Sequence, residues 1–212
     1  MKRALGGMVL ACAAGTLAAQ TIRPVASAAI VTARVRSEVP SGTEQFTGSA
    51  FRAAGALEFR RVHLAVSYLQ GSVDPDGGGP SRDLVEGTVL LGAQPFTWLT
   101  VEVGPHARAY GLPAGAGTQR WLFWELRARA ASAFVGSAVQ GYTELWRAVA
   151  ADANVPETFD HAQGGEAGMT VRLARAPLEG RIAYRIDHAV LGGGTRKETV
   201  DGVVIGVGLT WH

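Results

Sequence analysis

The sequence predicts an all-β protein, a closed antiparallel up-and-down transmembrane β-barrel of about ten strands, and three observations lead there. The chain opens with the leader of an exported protein. Apolar and polar residues then alternate with a period of two over most of its length. The connections between these stretches fall into short and long classes that alternate along the chain, as short periplasmic turns and long extracellular loops do in an outer-membrane barrel.

In the leader, Lys2 and Arg3 precede an apolar run from Ala4 to Ala14, and small residues follow at Thr16, Ala18 and Ala19. This layout marks residues 1–19 as a secretory signal peptide, cleaved after Ala18 or Ala19, and leaves 20–212 as one barrel domain. Val9-Leu10-Ala11-Cys12 also resembles the lipobox of bacterial lipoproteins, with an unusually short apolar run before the cysteine. Cleavage after Ala19 would remove Cys12, the sole cysteine, and exclude a disulfide from the mature chain.

Composition excludes other classes. The net charge is +2, because the basic and acidic residues nearly cancel, and nothing points to nucleic acid. After Ala19 there is no apolar run of about 20 residues, the length a transmembrane helix needs. A soluble ligand-binding β-barrel is the competing architecture.

Taken in chain order, residues 26–37 set Ala29, Val31, Ala33 and Val35 against Thr32, Arg34 and Arg36, and 49–60 set Phe51, Leu57 and Phe59 against Arg52, Glu58 and Arg60. Residues 62–70 oppose Val62, Leu64, Val66 and Tyr68 to His63 and Ser67; 84–93 oppose Val85, Val89 and Leu91 to Glu86 and Thr88. In 97–110, Leu99, Val101 and Val103 face away from Thr100, Glu102, His106 and Arg108; in 121–130, Leu122, Trp124 and Leu126 face away from Glu125, Arg127 and Arg129. Residues 134–147 and 166–176 set Val135, Val139, Leu145, Met169 and Val171 against Gln140, Glu144, Thr170 and Arg172. Residues 178–189 place Ile182, Tyr184 and Ile186 opposite Arg181, Arg185 and Asp187, and 201–212 place Val203, Ile205, Val207, Leu209 and Trp211 opposite mostly small residues. The count is ten, or eight if the two Ala-rich stretches at 26–37 and 49–60 are not strands.

Short turns are expected near 59–61, 94–97, 131–133 and 176–179, and polar loops at 38–47, 74–82, 112–119, 150–165 and 192–198. Two aromatic girdles fit this frame. Phe59, Phe96, Trp98, Phe134 and Trp211 lie near the short turns, and Phe51, Tyr68, Tyr110, Trp121, Trp124 and Trp146 near the loops. Trp98 and Trp146 have inward parity and are expected either to help fill the lumen or to mark an error of register.

With these residues in view, the chain resembles the small outer-membrane β-barrel superfamily that includes the OmpA-like porin-fold proteins. Its last strand is similar to the sorting signal read by the barrel assembly machinery, with Gly206, Leu209 and Trp211 at the matching positions, while His212 follows the aromatic residue that usually ends the chain. The resemblance is architectural and brings no activity with it. It implies outer-membrane lipid, lipopolysaccharide and the assembly machinery as partners, with the extracellular ligand unspecified.

Charged residues of inward parity should form a lumen network: Arg34, Arg36, Arg52, Glu86, Glu102, His106, Arg108, Glu125, Arg127, Arg129, Glu144, Arg172, Arg181, Arg185 and Asp187. The leading functional expectation is a structural or surface-interaction protein with a largely filled lumen. The first alternative is a narrow channel weakly favouring anions, since arginines outnumber carboxylates in this set. The second is a hydrolase at the outer rim acting on lipid A or peptide, drawing on Asp187, His188, Asp160, His161 and His106; outer-membrane proteases resembling the omptin family use Asp and His at that height. Against it, neighbours on a strand point to opposite faces, and no serine accompanies His188. Neither a cofactor nor a metal site is expected, as no two histidines share a ligand-like spacing.

Overall fold

The computed structural model describes residues 22–111, 117–136, 138–173 and 176–210. Ten strands form one closed antiparallel sheet: β1 (Arg23–Val39), β2 (Gly42–Phe59), β3 (Val62–Pro75), β4 (Arg82–Phe96), β5 (Leu99–Gly111), β6 (Thr118–Val135), β7 (Val139–Ala153), β8 (Phe159–Arg172), β9 (Leu178–Leu191) and β10 (Arg196–Thr210). Each strand pairs with its neighbours in sequence, and β10 returns to β1, with Val25 opposite Thr210 and Glu38 opposite Lys197. Every strand is thereby paired on both sides, the condition for a sheet to cross lipid, and among the described residues only above the Arg147–Gln163 pair do β7 and β8 run on without bonding each other. The leader, Trp211 and His212 lie outside the described residues.

The Ala-rich stretches do form strands, for a reason visible in their pairing. Ala26, Ala28 and Ala29 on β1 meet Gly55, Ala53 and Arg52 on β2, so two strands of small residues approach each other without crowding. Strand stagger then fixes the tilt. From Val31, pairing leads one way through Ala50, Gly71, Leu84 and Tyr110 to Gln119, and the other way through Val204, Ala183, Gly168 and Tyr142 to Ala131. The two routes meet β6 twelve positions apart. For ten strands such a stagger corresponds to a tilt of roughly 40°.

A 15-residue strand such as β10 therefore rises roughly 35–40 Å, well beyond the apolar band of about 25 Å that a membrane covers. The outward surface divides accordingly. Phe51, Tyr68, Trp124 and Tyr184 point outward at mid-strand and are about half exposed. Toward the termini, the outward face is apolar, with Leu64, Leu91, Leu126, Ile182 and Ile205 exposed. Toward the other end it carries Arg34, Arg36, Thr47, Asp74, Arg120 and Lys197, all exposed.

The interior changes at the same level in the opposite sense. In the upper part, Val31, Val35, Phe46, Val73, Leu84, Trp121, Phe123, Leu191 and Val204 pack into one buried apolar cluster. The barrel is thus inside-out where lipid surrounds it and an ordinary globular core where water does.

Several expectations are corrected by this arrangement. Arg34 and Arg36 face outward, and Val31, Ala33 and Val35 face in, because upper β1 stands in the water-facing collar and not in lipid. Arg36 pairs there with Glu38 at 2.9 Å. Tyr110 and Trp121 are buried inside instead of joining the upper girdle, and Trp146 helps fill the lumen, one of the two outcomes its parity allowed. Strands also run on into the polar stretches: β1 and β2 are joined by residues 40–41 alone, and Asp160 and His161 belong to β8.

The β1/β10 seam has one tight point. Gly202 lies so close to β1 that a Cβ there would collide with the Thr32 carbonyl oxygen, and Val203 N–H donates to Thr32 Oγ1 at 2.9 Å. Gly202→Ala should lower barrel stability by about 1–3 kcal/mol, whereas Gly180→Ala, whose Cβ would have open space, should stay within about 0.5 kcal/mol. Urea unfolding of the refolded barrel in lipid vesicles, followed by tryptophan fluorescence, measures both.

Candidate functional site

The inward residues of β4, β5, β6, β7 and β9 converge at mid-height into a charged layer. Arg108 donates from Nε to Glu86 Oε1 at 2.8 Å and from Nη2 to Asp187 Oδ2 at 2.6 Å. Arg185 reaches the same two carboxylates, bonding Glu86 Oε2 at 2.9 Å and also Asp187. Trp146 Nε1 donates to Asp187 Oδ1 at 2.9 Å, so that carboxylate is held by three side chains.

Next to this group, His106 Nδ1 lies 3.1 Å from Glu125 Oε2, and its Nε2 lies 3.9 Å from Glu86 Oε2. Arg127 bridges Glu125 and Glu144, the latter at 2.7 Å. Glu86, Asp187, Glu125 and Glu144 thus stand against Arg108, Arg185 and Arg127, with each arginine bonded to two carboxylates. Such pairing is what keeps buried ions tolerable, since an unpartnered one costs several kcal/mol.

Free space shrinks upward through the lumen. A cavity of 400 Å³ lies at the end that carries the termini; 30 Å³ remains within the charged layer, and 10 Å³ between Val35, Phe46, Val73, Tyr110 and Glu198 above it. The middle figure is room for about two waters. Above the layer Tyr110 donates to the buried Glu198 at 2.8 Å, and Trp121, Phe123 and Trp146 pack with ring centroids 6.0 to 6.1 Å apart.

The lower lumen holds the rest. Arg52 lies 3.4 Å from Glu166 and Arg181 also bonds it; Tyr142 donates to the same carboxylate at 2.6 Å. His63 and Glu102 are 2.6 Å apart, and Arg172 reaches Glu179 at 3.4 Å near the open mouth. Arg129 lies over the Tyr142 ring, 4.0 Å from its centroid. Trp98 is exposed beside this cavity, stacked on Phe96 at 5.7 Å.

Of the residues with expected inward parity, the structure brings together Arg52, Glu86, Glu102, His106, Arg108, Glu125, Arg127, Arg129, Glu144, Arg172, Arg181, Arg185 and Asp187 on the lumen wall, and leaves Arg34 and Arg36 outside. Glu166, Glu198 and Tyr142 are members that the parity reading missed. Glu166 shares the period of Thr170 and Arg172 and was legible on that count, while Glu198 fell in a stretch read as loop.

The rim candidates do not assemble. Asp187 is buried inside while His188 is outside, with Nδ1 3.0 Å from Thr199 Oγ1. Asp160 accepts from Gly193 N–H at 2.7 Å, and His161 sits opposite Val190 in the register. Among the described residues no group of three or more His, Cys, Asp or Glu side chains is placed to hold a metal. Gly206 faces inward and Leu209 outward on β10.

Loss of Arg108 removes one of the two arginines shared by the buried Glu86 and Asp187. Arg108→Met would leave Glu86 and Asp187 sharing Arg185 alone, and should destabilise the barrel by about 3–5 kcal/mol. The check is the urea midpoint in vesicles, with the band shift between unboiled and boiled gel samples confirming that the variant still folds.

No known family profile and no curated protein matches the chain. Solved structures similar to it include Neisserial surface protein A, at 11% identity over 89% of this chain and 97% of that one, with a TM-score of 0.39. The translocator domain of the autotransporter NalP from Neisseria meningitidis is 13% identical over 90% and 89%, with a TM-score of 0.48. The toluene transporter TodX of Pseudomonas putida is 8% identical over 88% and 89%, with a TM-score of 0.40. The likeness is to outer-membrane β-barrels as a class and not specifically to OmpA-like ones, and at these scores the architecture rests on the barrel's own geometry.

Proposed function

We propose that the chain is a non-conducting outer-membrane barrel with a structural and surface-interaction role, presenting a rigid strand-built collar outside the membrane. The observation that carries this reading is the narrowing of the lumen from 400 to 30 to 10 Å³. Passage of even a small hydrated solute would require the charged layer and the Trp121–Phe123 core to part together. Both are packed and mutually bonded.

The collar supports the surface role. Its outward face mixes charges of both signs on strands and not on long loops, so any partner meets a preformed surface and little ordering entropy opposes contact. Outer-membrane lipid and lipopolysaccharide would cover the apolar band and the girdle above it. The barrel assembly machinery would act during insertion, after removal of residues 1–19.

The anion-channel alternative needs a polar route through the upper core, and the rim-hydrolase alternative needs a nucleophile or carboxylate beside His188. The upper core offers no such route, and His188 has the Thr199 hydroxyl at 3.0 Å but, among the described residues, no carboxylate bonded to it. The refolded protein in planar bilayers should show no discrete openings under applied voltage. Stepwise conductance that persists after further purification would sink the closed-lumen reading.

A further inference from the structure

The lower lumen combines a blind cavity with an excess of positive charge, and closure alone needs neither. Among the described residues, seven arginine and four glutamate side chains line the 400 Å³ space, Arg127 and Glu144 being a pair shared with the charged layer, and Glu166, bonded to Arg52 and Arg181, adds a fifth carboxylate. The imbalance is sharpest around Tyr142. Arg52 and Arg181 share the single carboxylate of Glu166, and Tyr142 donates its hydroxyl proton to Glu166 while accepting from Arg181 Nε at 2.6 Å.

Arg129 completes the group, lying over the Tyr142 ring at 4.0 Å from its centroid. Among the described residues it has no carboxylate within salt-bridge distance: Glu144, its register partner across β6 and β7, is bonded to Arg127 instead. Three guanidinium groups therefore converge on one carboxylate and one aromatic ring. Thr170 adds a second observation: it is buried, lines the same cavity, stands opposite Arg181 in the register, and its hydroxyl has no hydrogen-bond partner. Arg127 Nε, also on the cavity wall, is likewise unpartnered.

Cations without counterions in a confined, partly desolvated space are costly, and a planar guanidinium matches the oxygens of a carboxylate or phosphate. In the charged layer, by contrast, each arginine is bonded to two carboxylates. We infer that the lower lumen is a blind, periplasm-facing binding site for a small oxyanion, a phosphate or a carboxylate, held by Arg52, Arg129 and Arg181 with the Thr170 hydroxyl as an additional donor. The blind geometry makes it a site for retention and not for passage. Only its blindness rests on the closed lumen proposed above.

Two probes distinguish the ligand chemistries: inorganic phosphate and succinate, titrated calorimetrically into the mature barrel refolded in a non-ionic detergent at low salt. At least one should bind saturably, and Arg129→Gln should weaken that binding at least tenfold. Arg129→Lys should keep most of it, and Arg120→Gln, on the outward face of the collar, should leave it unchanged. If Arg129→Gln fails the gel-shift test of folding, Arg181→Gln supplies the same comparison. Absence of saturable binding by both anions, or equal binding by the wild type and the glutamine variant, overturns the site. Discrete conductance with anion binding intact would overturn the closure and leave the site standing.

Discussion

The continuous hydrogen-bond ladder is the constraint on which the rest of this barrel depends. Lipid offers no partner for a backbone N–H or C=O, so each strand must bond both neighbours and β10 must return to β1. Between bulges, odd and even positions stay on opposite faces whatever surrounds the strand; only at a register shift, such as the one in β7 between Ala148 and Ala150, does parity change, passing from Trp146 to Ala151. When the outside changes from lipid to water at the ring of Phe51, Tyr68, Trp124 and Tyr184, composition has to exchange faces while parity stays fixed. β1 shows this within one strand: Ile30 is outward and 63% exposed, and two and four positions on, Thr32 and Arg34 occupy the same face.

The exchange gives the charged layer its place. Below it the interior is polar because the apolar side chains face lipid; above it the interior is apolar because the polar ones face water. At the boundary, polar side chains from β4, β5, β6 and β9 meet the underside of a hydrophobic core and lose their water. Glu86, Arg108, Glu125 and Asp187 are all at most 5% exposed there. They persist because each finds more than one partner, and the pairs run across the lumen as well as along the wall, as from Arg108 on β5 to Asp187 on β9. Such contacts tie distant strands together, which the neighbour-to-neighbour ladder does not do.

Much of the fold was legible in the sequence, since a period of two over ten stretches separated by turn residues names strands and their faces. What periodicity cannot supply is which face is inside. Reading every apolar face as lipid-facing worked for β3, β4 and the lower halves of β9 and β10, where lipid is in fact outside. It failed for upper β1, and for Tyr110 and Trp121, where water is outside and the same residue types turn inward. The polar segments misread as loops have the same origin. A stretch such as 38–47 is polar because its strands stand in water, and only its β-hairpin at residues 40–41 is a true turn.

The candidate site was legible only in part, and for a related reason. Parity gathers Arg52, Arg127, Arg129 and Arg181 onto one wall, but the stagger of the strands decides which of them share a height. That stagger separates the arginines into a fully paired set at the boundary and a surplus below it. Arg127 bonds Glu125 and Glu144, and Arg129, two positions nearer the open end, is left to the Tyr142 ring. An excess of guanidinium groups is therefore confined to the part of the lumen that has both free volume and an opening. In a filled barrel those cations would have been an unrelieved cost; beside an accessible cavity, an anion from solution can relieve it.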